Sequence, residues 1–231
     1  MLMGLKKEVC AANRALVKHK LVILTFGNVS GIDRKSGLVA IKPSGVPYHS
    51  LKPGQIVLVD LTGKVVEGKL KPSVDLHTHL EIYKAWPEVG GICHTHSPYA
   101  TAFAQAQKTI PCLGTTHADE FHGAIPVTRQ LTAQEMESDY EANIGRVIVN
   151  HFHPIKPAEM QAVLVAKHGP FVWGKNAMHS VTNSLLLEEI AKLAYRTMQI
   201  NPQAGLLSHD LLDKHYQRKH GPQASYGQPK K

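Results

Sequence analysis

Two histidines one residue apart, His94 and His96, follow the apolar run 89–93 and precede Ser97-Pro98. On a strand, residues two apart face the same side. The pair can therefore grip one metal ion, and a strand end is where a pocket can form. His168 closes a second apolar run, 163–166, and is followed by Gly169-Pro170. Three imidazoles with a fourth position open are the donor set of catalytic zinc, whereas structural zinc is closed by four ligands. Imidazole donors favour zinc over copper, iron or nickel on geometry and availability. Cys10, Cys93 and Cys112 have no short CxxC spacing that would close the site. A second pair at this spacing, His77 and His79, falls on a predicted helix, where residues two apart diverge. These two read as structural or surface residues.

The elements that must position these groups follow from periodicity. Leu5, Val9, Ala12 and Leu16 recur at helical spacing and predict an opening amphipathic helix. Residues 22–25 and 38–41 read as strands, and 55–60 with 64–67 flank Leu61-Thr62-Gly63 as a hairpin. A helix is expected over 75–86, stopped by Pro87, then a strand over 91–96. Ser97-Pro98 is a helix start, with Ser as N-cap and Pro at the first position. Asn176 caps the longest helix, with Leu185, Leu186, Ile190, Leu193 and Ala194 inward. The polar stretch from about 201 reads as a tail of the usually disordered kind. Leu211, Leu212 and Tyr216 leave room in it for a short helix. Strands and helices mix irregularly, which points to one sheet covered by helices.

The chain's 231 residues suffice to bury a sizeable core. Its formal charge of +8 is scattered, apart from 214–220 and 230–231, with no basic stripe interleaved with aromatics. That disfavours nucleic acid and suits a small anionic metabolite. An odd number of unclustered cysteines fits a reducing compartment. No signal pattern or bilayer-length apolar run is present, so the expected location is cytoplasmic, with no membrane partner.

Six segments occur in an order that resembles a known family. They are Thr25-Phe26-Gly27-Asn28-Val29-Ser30, Lys42-Pro43-Ser44-Gly45-Val46, Pro72-Ser73-Val74-Asp75, His94-Thr95-His96-Ser97, Gly114-Thr115-Thr116-His117-Ala118-Asp119 and His168-Gly169-Pro170. The carboxyl-terminal segments 212–216, 218–221 and 226–228 add to the likeness. The chain is similar over nearly its whole length to the L-ribulose-5-phosphate 4-epimerases of the class II aldolase/adducin superfamily.

This resemblance implies a single domain over 1–231, whose tail (about 201–231) contributes to the active site. The fold would be a three-layer α/β/α arrangement with a mainly antiparallel central sheet. It also implies a homotetramer with active sites between subunits and one Zn2+ per subunit. The reaction would interconvert L-ribulose 5-phosphate and D-xylulose 5-phosphate, in a pentose route such as arabinose catabolism. The inverted carbon is not adjacent to the ketone, so simple deprotonation does not reach it. Retro-aldol cleavage to an enediolate and glycolaldehyde phosphate, rotation and re-addition would do so, with zinc as Lewis acid.

By the same resemblance, Asp119 and Tyr226 of a neighbouring subunit carry protons on the two faces of the aldehyde. Gly27, Asn28, Ser44, Gly45, Ser73 and Val74 grip the phosphate through backbone N–H groups and hydroxyls. Lys42 would add charge there, and His215 would assist near the phosphate or the tail. Asp75 joins the metal as a fourth ligand or acts from behind the first three, a role compatible with capping the helix it opens. The chain departs from the family pattern at Phe26 (usually Trp), Val74 (usually Ser) and Ser225 (usually Tyr), which bears on phosphate affinity and substrate choice. Its rivals are a class II sugar-phosphate aldolase and a non-catalytic adducin-like binding module.

Overall fold

In a computed structural model, which describes residues 2–153 and 155–225, seven strands form one sheet in the order β4-β3-β2-β1-β5-β7-β6. They are β1 (Asn28–Asp33), β2 (Leu38–Ile41), β3 (Val57–Val59), β4 (Val65–Glu67), β5 (Gly91–His94), β6 (Ala162–Leu164) and β7 (Pro170–Gly174). Every neighbouring pair is antiparallel. The expected antiparallel sheet between helical layers is thus the observed one.

The strands alternate between two apolar faces, as a period of two requires. Val29, Ala40, Leu58 and Cys93 face one core, packed by α1 (Met3–Lys18) and the start of α7 (Ala177–Ile200). Ile32, Val39, Ile41, Val57, Val59 and Ile92 face the other. That side is covered by α2 (Leu76–Ala85) and α6 (Tyr140–His151). Each fully buried Val, Leu or Ile contributes about 1.5–3 kcal/mol relative to exposure. Both faces being buried explains why strands such as 38–41 read as unbroken apolar runs.

Several expectations hold. The hairpin is β3–β4. α2 opens at Asp75, and Arg34 closes its far end by donating to the carbonyls of Tyr83, Trp86 and Val89. Asn176 caps α7 by accepting from the His179 N–H. Cys10, Cys93 and Cys112 are free and buried. No helix among the described residues is long and apolar enough to cross a membrane.

Others are corrected. Residues 22–25 form no strand: Ile23 and Leu24 are 68% and 80% exposed, and Leu24 sits at φ 50°. The carbonyls of Phe26 and Gly27 instead accept from the Tyr48 hydroxyl, so this segment is a loop pinned from the side. α3 (Pro98–Ala106) starts where Ser97 predicts, but the Ser97 side chain makes no capping bond. The carboxylate of Glu188 on α7 caps it, accepting from the N–H groups of Tyr99 (2.8 Å) and Ala100 (3.0 Å). A buried anion serves two N–H donors there better than one hydroxyl can. Leu193 is 49% exposed rather than inward, and Leu187 is buried in the core. The tail is not of the disordered kind throughout: the short helix that Leu211, Leu212 and Tyr216 allow is present as α8 (His209–His220), which packs on the short α4 (Thr115–Ala118).

Candidate metal centre

His94 is the last residue of β5, opposite Asn28 on β1 and Phe171 on β7. Its ring stacks on Phe171, with centroids 4.1 Å apart and planes 13° from parallel. Nδ1 lies 2.9 Å from the Pro170 carbonyl. A carbonyl only accepts, so Nδ1 carries the proton and Nε2 presents its lone pair. His96 lies beyond the strand end, not on it as its spacing suggests. Its Nε2 nevertheless lies 3.1 Å from that of His94. His168 sits in the tight turn between β6 and β7, closed by bonds from His168 N to the Val165 carbonyl and from Val165 N to the Gly169 carbonyl. A Cβ on Gly169 would stand 2.9 Å from the Thr95 carbonyl, so only glycine lets this turn approach the pair.

The ligand atoms of His94, His96 and His168 all lie within 4.8 Å of one another, and they are the only such group among the described residues. His168 Nδ1 is buried without a hydrogen-bond partner among the described residues. An orphaned buried nitrogen beside two other imidazoles is what a cation would satisfy. Burial, reinforced by His94 and His96, pushes the His168 pKa down to about 4. Burial likewise lowers that of His96. Both are neutral near pH 7, the form that binds metal. The donor set fits a divalent cation.

Asp75 is buried, and its carboxylate does not cap α2. Oδ2 accepts instead from Asn28 Nδ2 at 2.6 Å. Burial works to raise its pKa, but His94, His79, His168 and the Asn28 amide together hold it below the usual carboxylate range. Asp75 lies outside the 4.8 Å histidine group.

These residues line a pocket of about 480 Å³. Gly27, Asn28, Ser44, Gly45, Ser73 and Val74 line it too, so ten of the sequence-predicted positions converge. Two loops are stitched together by bonds from Ser44 N to the Lys71 carbonyl and from Ser73 N to the Lys42 carbonyl. Those pairings consume the serine N–H groups. The N–H groups of Gly45 and Val74 donate to nothing among the described residues. Lys42 is 2% exposed, with its ammonium against the Pro43 carbonyl (3.3 Å) and over the Tyr48 ring (4.8 Å). Gly27 has φ 78°, and a Cβ there would lie 2.8 Å from the His94 carbonyl.

Asp119 does not line this pocket. It ends α4, where its carboxylate meets His215 Nδ1 (3.0 Å) and Arg218 (2.9 and 3.1 Å). Burial opposes ionisation of Asp119, but the bonds from Arg218 and His215 bring its pKa below the usual value. Tyr226 lies outside the described residues. Sequence reasoning missed Tyr140 and Glu141, which line the pocket from the start of α6. No local signal marks them. The Thr78 hydroxyl on α2 holds the Glu141 carbonyl at 2.6 Å, and only helix packing brings them there.

Fold and site together define a three-layer α/β protein with a cluster of three histidines, able to hold a metal ion, where strands β5 and β7 meet. The chain belongs to the class II aldolase and adducin N-terminal domain family, whose model matches residues 7–195. It is similar to an L-fuculose 1-phosphate aldolase at 26% identity and TM-score 0.79, covering 93% of this chain and 95% of that one. YgbL from Klebsiella pneumoniae matches at 24% identity and TM-score 0.74, over 93% of this chain and 99% of that one. The L-fuculose-1-phosphate aldolase of Thermus thermophilus matches at 22% identity and TM-score 0.66, over 88% of this chain and 98% of that one.

Proposed function

We propose that this chain is a divalent-metal-dependent isomerase that converts L-ribulose 5-phosphate to D-xylulose 5-phosphate by breaking and re-forming one carbon–carbon bond. The observation that carries the reading is the convergence of three imidazoles in a pocket whose other lining residues suit an anion. His94, His96 and His168 would hold one Zn2+ per subunit, with Asp75 as a fourth ligand or as support behind the three. The bound cation supplies Lewis acidity at the ketone end of the substrate.

The phosphate end fits the free N–H groups of Gly45 and Val74, the hydroxyls of Ser44 and Ser73, and the buried charge of Lys42. Gly27 and Asn28 complete that wall, with glycine keeping the loop close to β5. Asp119 and Tyr226 are assigned proton transfer on opposite faces of the aldehyde, reaching the pocket from a neighbouring subunit of a tetramer. In its own chain Asp119 is outside the pocket, and its bonds to Arg218 and His215 favour the ionised, proton-accepting form. The tail would contribute through α8 and the residues after it.

The second reading is a sugar-phosphate aldolase, supported by the likeness to L-fuculose 1-phosphate aldolase. Asp75, where aldolases are expected to carry Glu, and the tail carrying Tyr226 favour the epimerase. A binding role without chemistry is disfavoured by the intact histidine set. The deciding experiment incubates zinc-loaded protein with L-ribulose 5-phosphate. Formation of D-xylulose 5-phosphate that stops after chelation supports the proposal. Accumulation of glycolaldehyde phosphate without the epimer selects the aldolase, and no turnover with any divalent metal defeats both.

A further inference from the structure

His79 is fully buried on α2, one helical turn after Asp75, and its own N–H donates to the Asp75 carbonyl. Residues four apart share one face of a helix. His79 Nδ1 lies 2.7 Å from Ser30 Oγ, and that oxygen lies 2.8 Å from the Tyr83 hydroxyl. His79 Nε2 is buried with no partner among the described residues. The ring also meets the edge of Phe171 (5.9 Å between centroids), the same phenyl that stacks on His94.

One arrangement along this chain leaves neither hydroxyl proton without an acceptor. Tyr83 is buried, and Ser30 is the acceptor within reach of its phenol among the described residues. The phenol therefore donates to Ser30. Ser30 then sends its own proton to His79 Nδ1, which must be the bare nitrogen. A neutral imidazole so held carries its proton on Nε2. It cannot be a metal ligand through that atom; it is an unspent donor beside the metal pocket. Meanwhile Asp75 Oδ2 is taken by Asn28, and Oδ1 accepts from nothing among the described residues.

We propose that His79 is a positioning residue: the Tyr83–Ser30–His79 relay fixes its Nε2–H tautomer and keeps an unspent donor one helical turn from Asp75, which the Asp75 carboxylate takes up when it turns toward His94, His96 and His168. The proposal rests on the metal reading of the pocket. It adds a residue that touches neither metal nor substrate.

The tautomer is read first, on the full metal-free chain labelled with 15N-histidine, by two-bond proton–nitrogen correlation. The Nε2–H form is expected, and the Nδ1–H form overturns the relay. Cobalt affinity and the visible cobalt spectrum are then compared across variants against a competing chelator. His79→Asn ends at the Nδ1 position and should weaken cobalt binding about 10-fold or more, as loss of an outer-shell partner does. His79→Gln puts an amide back at the Nε2 distance and should recover binding to within about 3-fold. A merely structural histidine gives no such recovery. Asn, Gln and wild type binding cobalt equally, with one spectrum, overturns the proposal. Should the Asn variant not fold, Ser30→Ala serves: the tautomer should shift and cobalt binding weaken about 3- to 10-fold, and no change in either overturns it. Failure of the wild type to bind cobalt would instead defeat the metal reading, and the metal-free tautomer measurement tells the two apart.

Discussion

His94 Nε2 and His96 Nε2 lie 3.1 Å apart, while the other nitrogen of His94 is bonded to the Pro170 carbonyl. Two imidazole nitrogens at that distance face each other across one shared proton or one cation. Breaking this relationship should separate metal loading from folding. His96→Asn, at a position exposed to solvent, is expected to lower zinc content and turnover together while leaving thermal unfolding of the metal-free protein unchanged. Outer-shell changes cost about 10–100-fold in metal affinity, so loss of a direct ligand should cost at least that. Full zinc content by elemental analysis would remove His96 from the site.

Asp119→Asn tests the opposite separation. Its carboxylate contacts Arg218 and His215 and not the histidine pocket. Zinc content should be unchanged, while turnover falls by about 10²-fold or more, as for loss of a general acid or base. Unaltered steady-state turnover would exclude it from proton transfer.

Gly27→Ala should be costly although it adds one methyl group. The residue sits at φ 78°, and its Cβ would stand 2.8 Å from the His94 carbonyl. Strained backbone of this kind costs about 1–3 kcal/mol, and the displaced strand end carries His94. Urea unfolding should show that loss together with weaker metal binding; a midpoint equal to wild type contradicts the close approach.

α8 should release in acid before the core does. It buries only Tyr216 and is held by Asp119 to His215 and Arg218, by Asp213 to His122, and by Lys219 to Glu120. The folded-state pKa of Asp119 is depressed. Its stabilisation is therefore fully present above the ordinary Asp value of about 3.9 and is lost as pH falls through the lower folded value. Hydrogen-exchange protection factors in 209–220 should hold near neutral pH and fall below about pH 4. Protection in 177–200 should persist. Equal protection in the two helices at pH 3 would refute the ion-pair docking.

Much of this was legible in the chain. The β3–β4 hairpin, the start of α2 at Asp75 and the Asn176 cap are encoded within a few residues. The histidine site was legible because His94 and His168 each follow an apolar run that ends at the pocket. The misreadings have a common cause. Ser97 looks like a cap, but Glu188 takes that task, 89 residues beyond the Tyr99 N–H that it accepts from. Residues 22–25 look like a strand, but the Tyr48 hydroxyl holds the following carbonyls. Leu211, Leu212 and Tyr216 allowed a short helix after 201, but the polar composition hid its docking, which rests on charges flanking α4 rather than on an apolar face of its own.

The sequence by itself determined most of the elements, one sheet covered by helices and the donor types, because those depend on spacing and on side-chain chemistry. Only the tertiary structure decided which nitrogen of His94 is free, that the Gly45 and Val74 N–H groups have no partner among the described residues, and that Glu141 and Lys42 share a pocket with three histidines. Those outcomes are set by hydrogen bonds and packing between segments far apart in the chain, and no local pattern carries them.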